Sequence, residues 1–167
     1  AIIHDILDLS RRPAGQVERR PLRSVIEDTR QRWIDQGMTG DQLGIEEEQP
    51  DVDIRFDILQ LSQVLDNLVT NARHHAGPDT RILFNIGVHE DTGLPRLKVM
   101  DDGPGVADEV LPQLFEPFFT TERNGTGLGL FVCRELCEAN QARLDYEPGH
   151  EGACFVITFS HPERVFE

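Results

Sequence analysis

At 167 residues the chain is long enough for one domain with a substantial core, with room for a short appendage. Its formal net charge of -14 leaves no basic face for nucleic-acid phosphates and excludes that class of partner. Three cysteines are too few and too scattered for a disulfide framework, no apolar run approaches the roughly 20 residues of a membrane span and no signal peptide opens the chain, so the segment is expected in a reducing, cytoplasmic setting without membrane contact.

Ala1 to Arg12, AIIHDILDLSRR, is helical in pattern, with Ile2, Ile3, Ile6, Leu7 and Leu9 on one side and Pro13 as its stop. So short a helix needs a partner for its apolar face, and it reads as the end of a longer one. Val17 to Arg20 forms a short strand before Pro21, and Leu22 to Trp33 an amphipathic helix with Val25, Ile26 and Trp33 inward. Gln42 to Glu46 and Val52 to Phe56 alternate as strands, joined by the acidic turn Glu47 to Asp51. Thr80 to His89 and Leu94 to Met100 pair through the turn Asp91-Thr92-Gly93, and Ala142 to Tyr146 and Cys154 to Phe159 make a final hairpin around Pro148-Gly149-His150. Helices with a mostly antiparallel set of strands in this order predict a two-layer α/β sandwich, its sheet covered by helices on one face. Cys133 and Cys137, one helical turn apart with no His or further Cys beside them, read as small buried hydrophobes.

The stretch that the other elements serve is Ile58 to Ala76, ILQLSQVLDNLVTNARHHA. Leu61, Val64, Leu65, Leu68 and Ala72 recur at helical spacing and share one face. Asn67 and Asn71, four apart, fall together on a flank with Gln63 and His74, while His75 lies nearer the apolar seam. Asn is a poor helix-interior residue, so a pair at one spacing asks for a reason. Amide oxygens one turn apart can share Mg²⁺ with phosphate oxygens; the alternative is a solvated polar edge.

Two glycine clusters follow. Met100 ends a strand and runs into Asp101-Asp102-Gly103-Pro104-Gly105-Val106, where the glycines allow positive φ and close approach of a ligand to bare backbone. Asp101, at the strand end, can accept a hydrogen bond from an exocyclic amine such as that of adenine. Gly125-Thr126-Gly127-Leu128-Gly129-Leu130 opens a helix, where exposed N–H groups and the positive end of the dipole suit phosphates. The spacing is neither a Rossmann fingerprint nor a P-loop. Between the clusters, Leu114 to Asn124 (LFEPFFTTERN) is an aromatic-rich loop that can anchor on its Phe residues and close over a ligand.

In this order the Asn helix, D-x-G-x-G, F-x-P-F and G-x-G-x-G resemble the N, G1, F and G2 boxes of the catalytic ATP-binding domain of bacterial sensor histidine kinases. The resemblance covers Leu22 to Phe159, nearly the whole chain, and implies the Bergerat α/β sandwich shared with gyrase, Hsp90 and MutL. The run EPFFTT and the helix end DLSRR lean toward the nitrogen-regulation and pilus-regulation branch. By the same resemblance, residues 1–12 are the end of a dimerisation hairpin helix, 13–21 a linker with the first strand, 22–160 the catalytic domain and 161–167 a tail.

Position by position, the resemblance gives Asn71 to Mg²⁺ and Asn67 to the same ion or its phosphates. Asp101 would read adenine, and Gly103 and Gly105 would line the base. Gly125, Thr126, Gly127, Leu128 and Gly129 would wrap the phosphates of ATP, Phe115 and Phe118 would seat the lid, and Arg123 would add a positive charge at the terminal phosphate. Two departures stand out. His74 occupies a place where many such kinases carry a Lys that touches phosphate, which makes that contact weaker or pH-sensitive, and His75 a place that is often aromatic and packs on the nucleotide. Gyrase-like ATPases of this fold carry a Glu four residues before the metal-binding Asn, to activate water; Asn67, at that position here, cannot take a proton. That favours histidine phosphorylation over ATP hydrolysis, with a nucleotide-binding regulatory module or a plain ATPase as the alternative. His4-Asp5 continues as Ile6-Leu7-Asp8 rather than as H-E-x-R-x-P, so His4 is not expected to be the phosphoacceptor. The implied partners are a histidine-bearing dimerisation domain of the same protein, which would be a homodimer, and a response regulator. The resemblance leaves room for anchoring of a longer parent protein in the bacterial inner membrane.

Overall fold

The computed structural model describes residues 15–119 and 128–163. Its strands are β1 (Val17–Pro21), β2 (Leu43–Glu47), β3 (Asp53–Asp57), β4 (Ile82–Val88), β5 (Pro95–Asp101), β6 (Arg143–Tyr146) and β7 (Cys154–Thr158), and its helices are α1 (Leu22–Asp35), α2 (Ile58–Ala76) and α3 (Gly129–Ala139). The proposed helix at residues 1–12 lies outside the described residues.

The main sheet has the order β2-β4-β5-β7-β6 and is antiparallel except where β2 runs beside β4. Both expected hairpins form, β4 with β5 and β6 with β7. The acidic turn does join β2 to β3, but the two strands part: β3 pairs with β1 in a separate two-stranded sheet. Alternation sorts the sheet's two faces. Leu43, Ile82, Phe84, Ile86, Leu97, Val99, Leu144, Phe155 and Ile157 point into the core with the buried faces of the helices. Trp33 of α1 stacks on Phe84 at 5.5 Å between ring centroids. The opposite face carries polar side chains, among them Glu46, Asn85, Arg96, Lys98 and Glu147.

Polar ties set the helices in place. Asp66 of α2 accepts both terminal nitrogens of Arg32 at 2.9 and 3.0 Å and the Trp33 indole N–H at 2.7 Å, fixing α1 on α2. Asp57 caps α2 by accepting the Gln60 N–H at 3.2 Å, and its second oxygen accepts the N–H groups of Gly15 and Gln16, each at 3.1 Å. Asn140, fully buried at the end of α3, accepts the Asp57 N–H at 2.8 Å and donates to Gln60 and to the Leu136 carbonyl. One amide thus joins the end of α3 to the start of α2. All three cysteines are buried and free; burial pushes the Cys133 and Cys154 thiols up to about 12 and Cys137 well above its ordinary value. They are inert as nucleophiles, as the sequence reading of the α3 pair expects.

Candidate functional site

Strand parity puts Asp101 on the helix side of the sheet, two residues beyond Val99. Its Oδ1 accepts the Gly103 N–H at 2.9 Å and the Ala153 N–H at 3.1 Å, and its own N–H donates to the Ala153 carbonyl at 3.1 Å. The carboxylate is therefore aimed by backbone groups from its own turn and from the start of β7. Its Oδ2 meets no donor among the described residues and stands as an open acceptor at the strand end. The space around it is too small for side chains. A Cβ on Gly103 would lie 2.3 Å from the Cβ of Ala76 at the end of α2, and one on Gly152 would lie 2.0 Å from the Asp101 carbonyl oxygen. Gly105 takes a φ of 76°, a turn conformation that side chains disfavour. Beyond it, the Val106 N–H donates to the Tyr146 hydroxyl at 3.1 Å.

Asp102, next in the chain, turns the other way. Its Oδ1 accepts the Thr80 hydroxyl at 2.5 Å and the Arg81 N–H at 3.2 Å, tying the turn to the loop that follows α2. The Thr80 hydroxyl first, and the Arg81 N–H second, hold the Asp102 carboxyl below its ordinary 3.8.

Asn67 and Asn71 occur on α2 as expected, both half-buried. Asn71 makes no hydrogen bond among the described residues. Asn67 lies on the side of α2 that meets α3, near the Cys133 thiol, which donates to the Val64 carbonyl oxygen at 3.6 Å. Arg73, His74 and His75 fill the last turn of α2, where positive charge suits the helix dipole, and both histidines are exposed. Leu128 is buried and precedes α3, whose first residue is the exposed Gly129; no side chain caps this helix start. Arg123, Gly125, Thr126 and Gly127 lie outside the described residues. Of the two loop aromatics, Phe115 is seated, edge-on to Phe155 at 6.2 Å with the Arg134 guanidinium 5.6 Å over its ring. Phe118 stands 54% exposed with a φ of 68°.

Sequence reasoning missed Gly152 and Ala153, which hold Asp101 from roughly fifty residues away, and Tyr146, which holds the far end of the turn. Nothing local marks them, since the pairing of β5 with β7 creates the contact. The donor set suits a nucleotide. An open carboxylate oxygen is bordered by side-chain-free backbone, and an amide without a hydrogen bond among the described residues lies on the neighbouring helix α2.

The family model described as histidine kinase-, DNA gyrase B-, and HSP90-like ATPase matches residues 56–163. The chain is 42% identical over 172 aligned positions to the sensor protein kinase PilS of Pseudomonas aeruginosa, covering 98% of this chain and 32% of that protein. It is 34% identical to the C4-dicarboxylate transport sensor protein DctB of Rhizobium meliloti, over 59% of this chain and 16% of that one. The chain thus spans about a third or less of the length of these curated relatives. Among solved structures, the catalytic domain of histidine kinase ThkA superposes with a TM-score of 0.74 at 25% identity, covering 89% of this chain and 99% of that one. The same kinase in complex with the response regulator protein TrrA shares the fold, with a TM-score of 0.76 at 23% identity over 98% of this chain and 48% of that one. No helix among the described residues is long and apolar enough to cross a membrane.

Proposed function

The chain belongs to the family of histidine kinase-, DNA gyrase B- and HSP90-like ATPases, and from that membership we propose that it is the catalytic domain of a sensor histidine kinase, which binds Mg-ATP and passes the γ-phosphoryl group to a histidine on a dimerisation domain of the same protein, for relay to a response regulator. The observation that carries the choice of kinase over ATPase is Asn67. It occupies the position of the water-activating Glu of the ATPases, and its amide offers no base to a water.

Asp101 would hold the adenine amine through Oδ2, its geometry set beforehand by the N–H groups of Gly103 and Ala153. Asn71 would be the principal protein ligand of the metal, with Asn67 beside it on the same flank. Mg²⁺, when bound, neutralises phosphate charge as the phosphoryl group moves. His74 and His75 would face the phosphates from the last turn of α2, and the start of α3 at Leu128 and Gly129 would direct N–H groups at them. Arg123, Gly125, Thr126 and Gly127 complete this assignment from sequence alone. With no general base for water, positioning and charge neutralisation would do the work, and the acceptor histidine would bring its own base.

The test is to supply a cognate histidine hairpin in trans with γ-labelled ATP. Acid-labile, alkali-stable label should appear on the hairpin and not on this chain, while ATP hydrolysis by the chain alone stays slow. Rapid turnover without a hairpin, or strong labelling at His4, would overturn the reading. Asp101→Asn, which replaces the acceptor pair with an amide, should weaken ADP by roughly 10- to 100-fold and leave tripolyphosphate binding nearly unchanged.

A further inference from the structure

A second cluster of metal-capable side chains stands on the sheet face turned away from the helices. Glu147 directly follows β6, His150 lies in the hairpin turn and Cys154 opens β7. Glu147 and Cys154 are cross-strand neighbours, joined by the Glu147 N–H to the Cys154 carbonyl at 2.8 Å. Glu147 Oε2 is 2.6 Å from His150 Nε2 and 3.8 Å from Cys154 Sγ, and the three donor atoms all lie within 4.8 Å of one another. Bonds of about 2.0–2.3 Å in a tetrahedral shell set neighbouring ligand atoms roughly 3.3–3.8 Å apart, so the cluster needs only a small opening to enclose an ion. The groups that must move can do so. The His150 and Glu147 side chains are 31% and 40% exposed, whereas Cys154 is fixed in its strand and buried.

We propose that Glu147, His150 and Cys154 form a binding site for a borderline divalent cation of the Zn²⁺ type, separate from the nucleotide site. One imidazole nitrogen, one carboxylate oxygen and one sulfur select such a cation and not Mg²⁺ or Ca²⁺, which prefer oxygen alone. Three protein ligands leave the fourth position to water, and the cation takes the place of the thiol proton. Without a cation, Glu147 Oε2 is the shared acceptor of His150, Lys98 and the Cys154 thiol; with one, the sulfur becomes a ligand in place of a donor. Lys98 is the counterweight: its ammonium is 3.0 Å from the same Oε2 and must release it for the cation to enter. The ion would clip β6 to β7 one residue from Ala153, whose backbone aims Asp101, so the site stiffens the hairpin behind the nucleotide turn without using any nucleotide-binding group.

Titration of the whole chain with Co²⁺, followed by displacement with Zn²⁺, tests this. The wild-type protein should show one cobalt per chain with a near-ultraviolet thiolate-to-cobalt charge-transfer band, insensitive to millimolar Mg²⁺, and Zn²⁺ should raise its melting temperature. Cys154→Ser should lose the band, His150→Ala and Glu147→Gln should each weaken binding at least ~10-fold, and Lys98→Met should tighten it. Absence of a thiolate band in the wild-type protein would overturn the proposal, as would its persistence in Cys154→Ser. Undiminished Zn²⁺ affinity in both His150→Ala and Glu147→Gln would mean adventitious surface binding and overturn it equally. Those last two changes lie at the surface, so they decide the matter even if Cys154→Ser fails to fold.

Discussion

At its N-terminal end α2 meets Asp57, which accepts three backbone N–H groups, and Asn140, which reaches from the end of α3 and makes three hydrogen bonds of its own. At its C-terminal end the helix presents Asn71, with no hydrogen bond among the described residues, then two exposed histidines, against a turn so close that Gly103 has no room for a Cβ. The same residue type thus appears in two opposite settings. Asn140 is fully buried and partnered on both its oxygen and its nitrogen, which makes it a structural amide. Asn71, half-buried and without a hydrogen bond among the described residues, does no comparable structural work, which is what the proposed role as a metal ligand requires. One end of the helix is anchor, and the other, in the function proposed above, is site.

The largest expected effect is at the site end. Asn71→Ala should lower phosphoryl transfer to an added histidine hairpin by roughly 10²–10³, the cost of removing one group that stabilises transition-state charge. The melting temperature should barely change, and ADP binding in the absence of Mg²⁺ should hold within about threefold, because Asp101 and the glycine turn are intact. Equal loss of stability and transfer would show that Asn71 is structural, and the contrast between the two ends would collapse.

At the anchor end the pattern should invert. Asn140→Ala strands the Asp57 N–H and the Gln60 amide oxygen and removes a donor from the Leu136 carbonyl. Leaving such buried groups unsatisfied costs about 2–3 kcal/mol. Urea unfolding should register that loss as a lower midpoint, while nucleotide affinity of the folded protein stays near wild type. A drop in affinity larger than about threefold under conditions where the variant is fully folded would mean that the two ends are coupled through α2.

What the sequence disclosed of this arrangement, and what it concealed, follow from range. The helical spacing of Leu61, Val64, Leu65, Leu68 and Ala72 identifies α2 and its buried face without help, because periodicity is local. The two hairpins are legible for the same reason, their turns lying between adjacent alternating runs. The departure of β3 from β2 is not, since alternation tells which face a strand buries but not which neighbour it takes. In the site, Asp101, Gly103 and Gly105 could be singled out by their spacing after a strand. Gly152 and Ala153 could not, because their role exists only once β7 lies beside β5. The bond from Cys133 to α2 is hidden likewise: its thiol reaches the Val64 carbonyl only once α3 packs on α2.

The smallest effect sharpens the description of the site end. Asp102 ties the turn after β5 to the loop after α2, through the Thr80 hydroxyl and the Arg81 N–H. Both bonds favour the ionised carboxylate, so its folded-state value lies below the ordinary 3.8. A group depressed in this way stabilises the fold above its unfolded value, and the contribution is lost as pH falls through the folded value. Asp102 is exposed, so solvent screening keeps the effect modest and confines it to the acid side of pH 4. Carboxyl-carbon NMR should follow Asp102 titrating below its ordinary value in the wild-type protein, and Thr80→Ala should return it most of the way, since the hydroxyl is the larger of the two causes. The same variant should flatten the acid limb of the stability profile slightly while leaving stability at neutral pH lower by a fraction of a Asn140→Ala loss. An Asp102 titration unmoved by Thr80→Ala would show that the hydroxyl bond is absent in solution, leaving the Arg81 N–H and the packing of Ala76 on Gly103 to hold the C-terminal end of α2 to the turn.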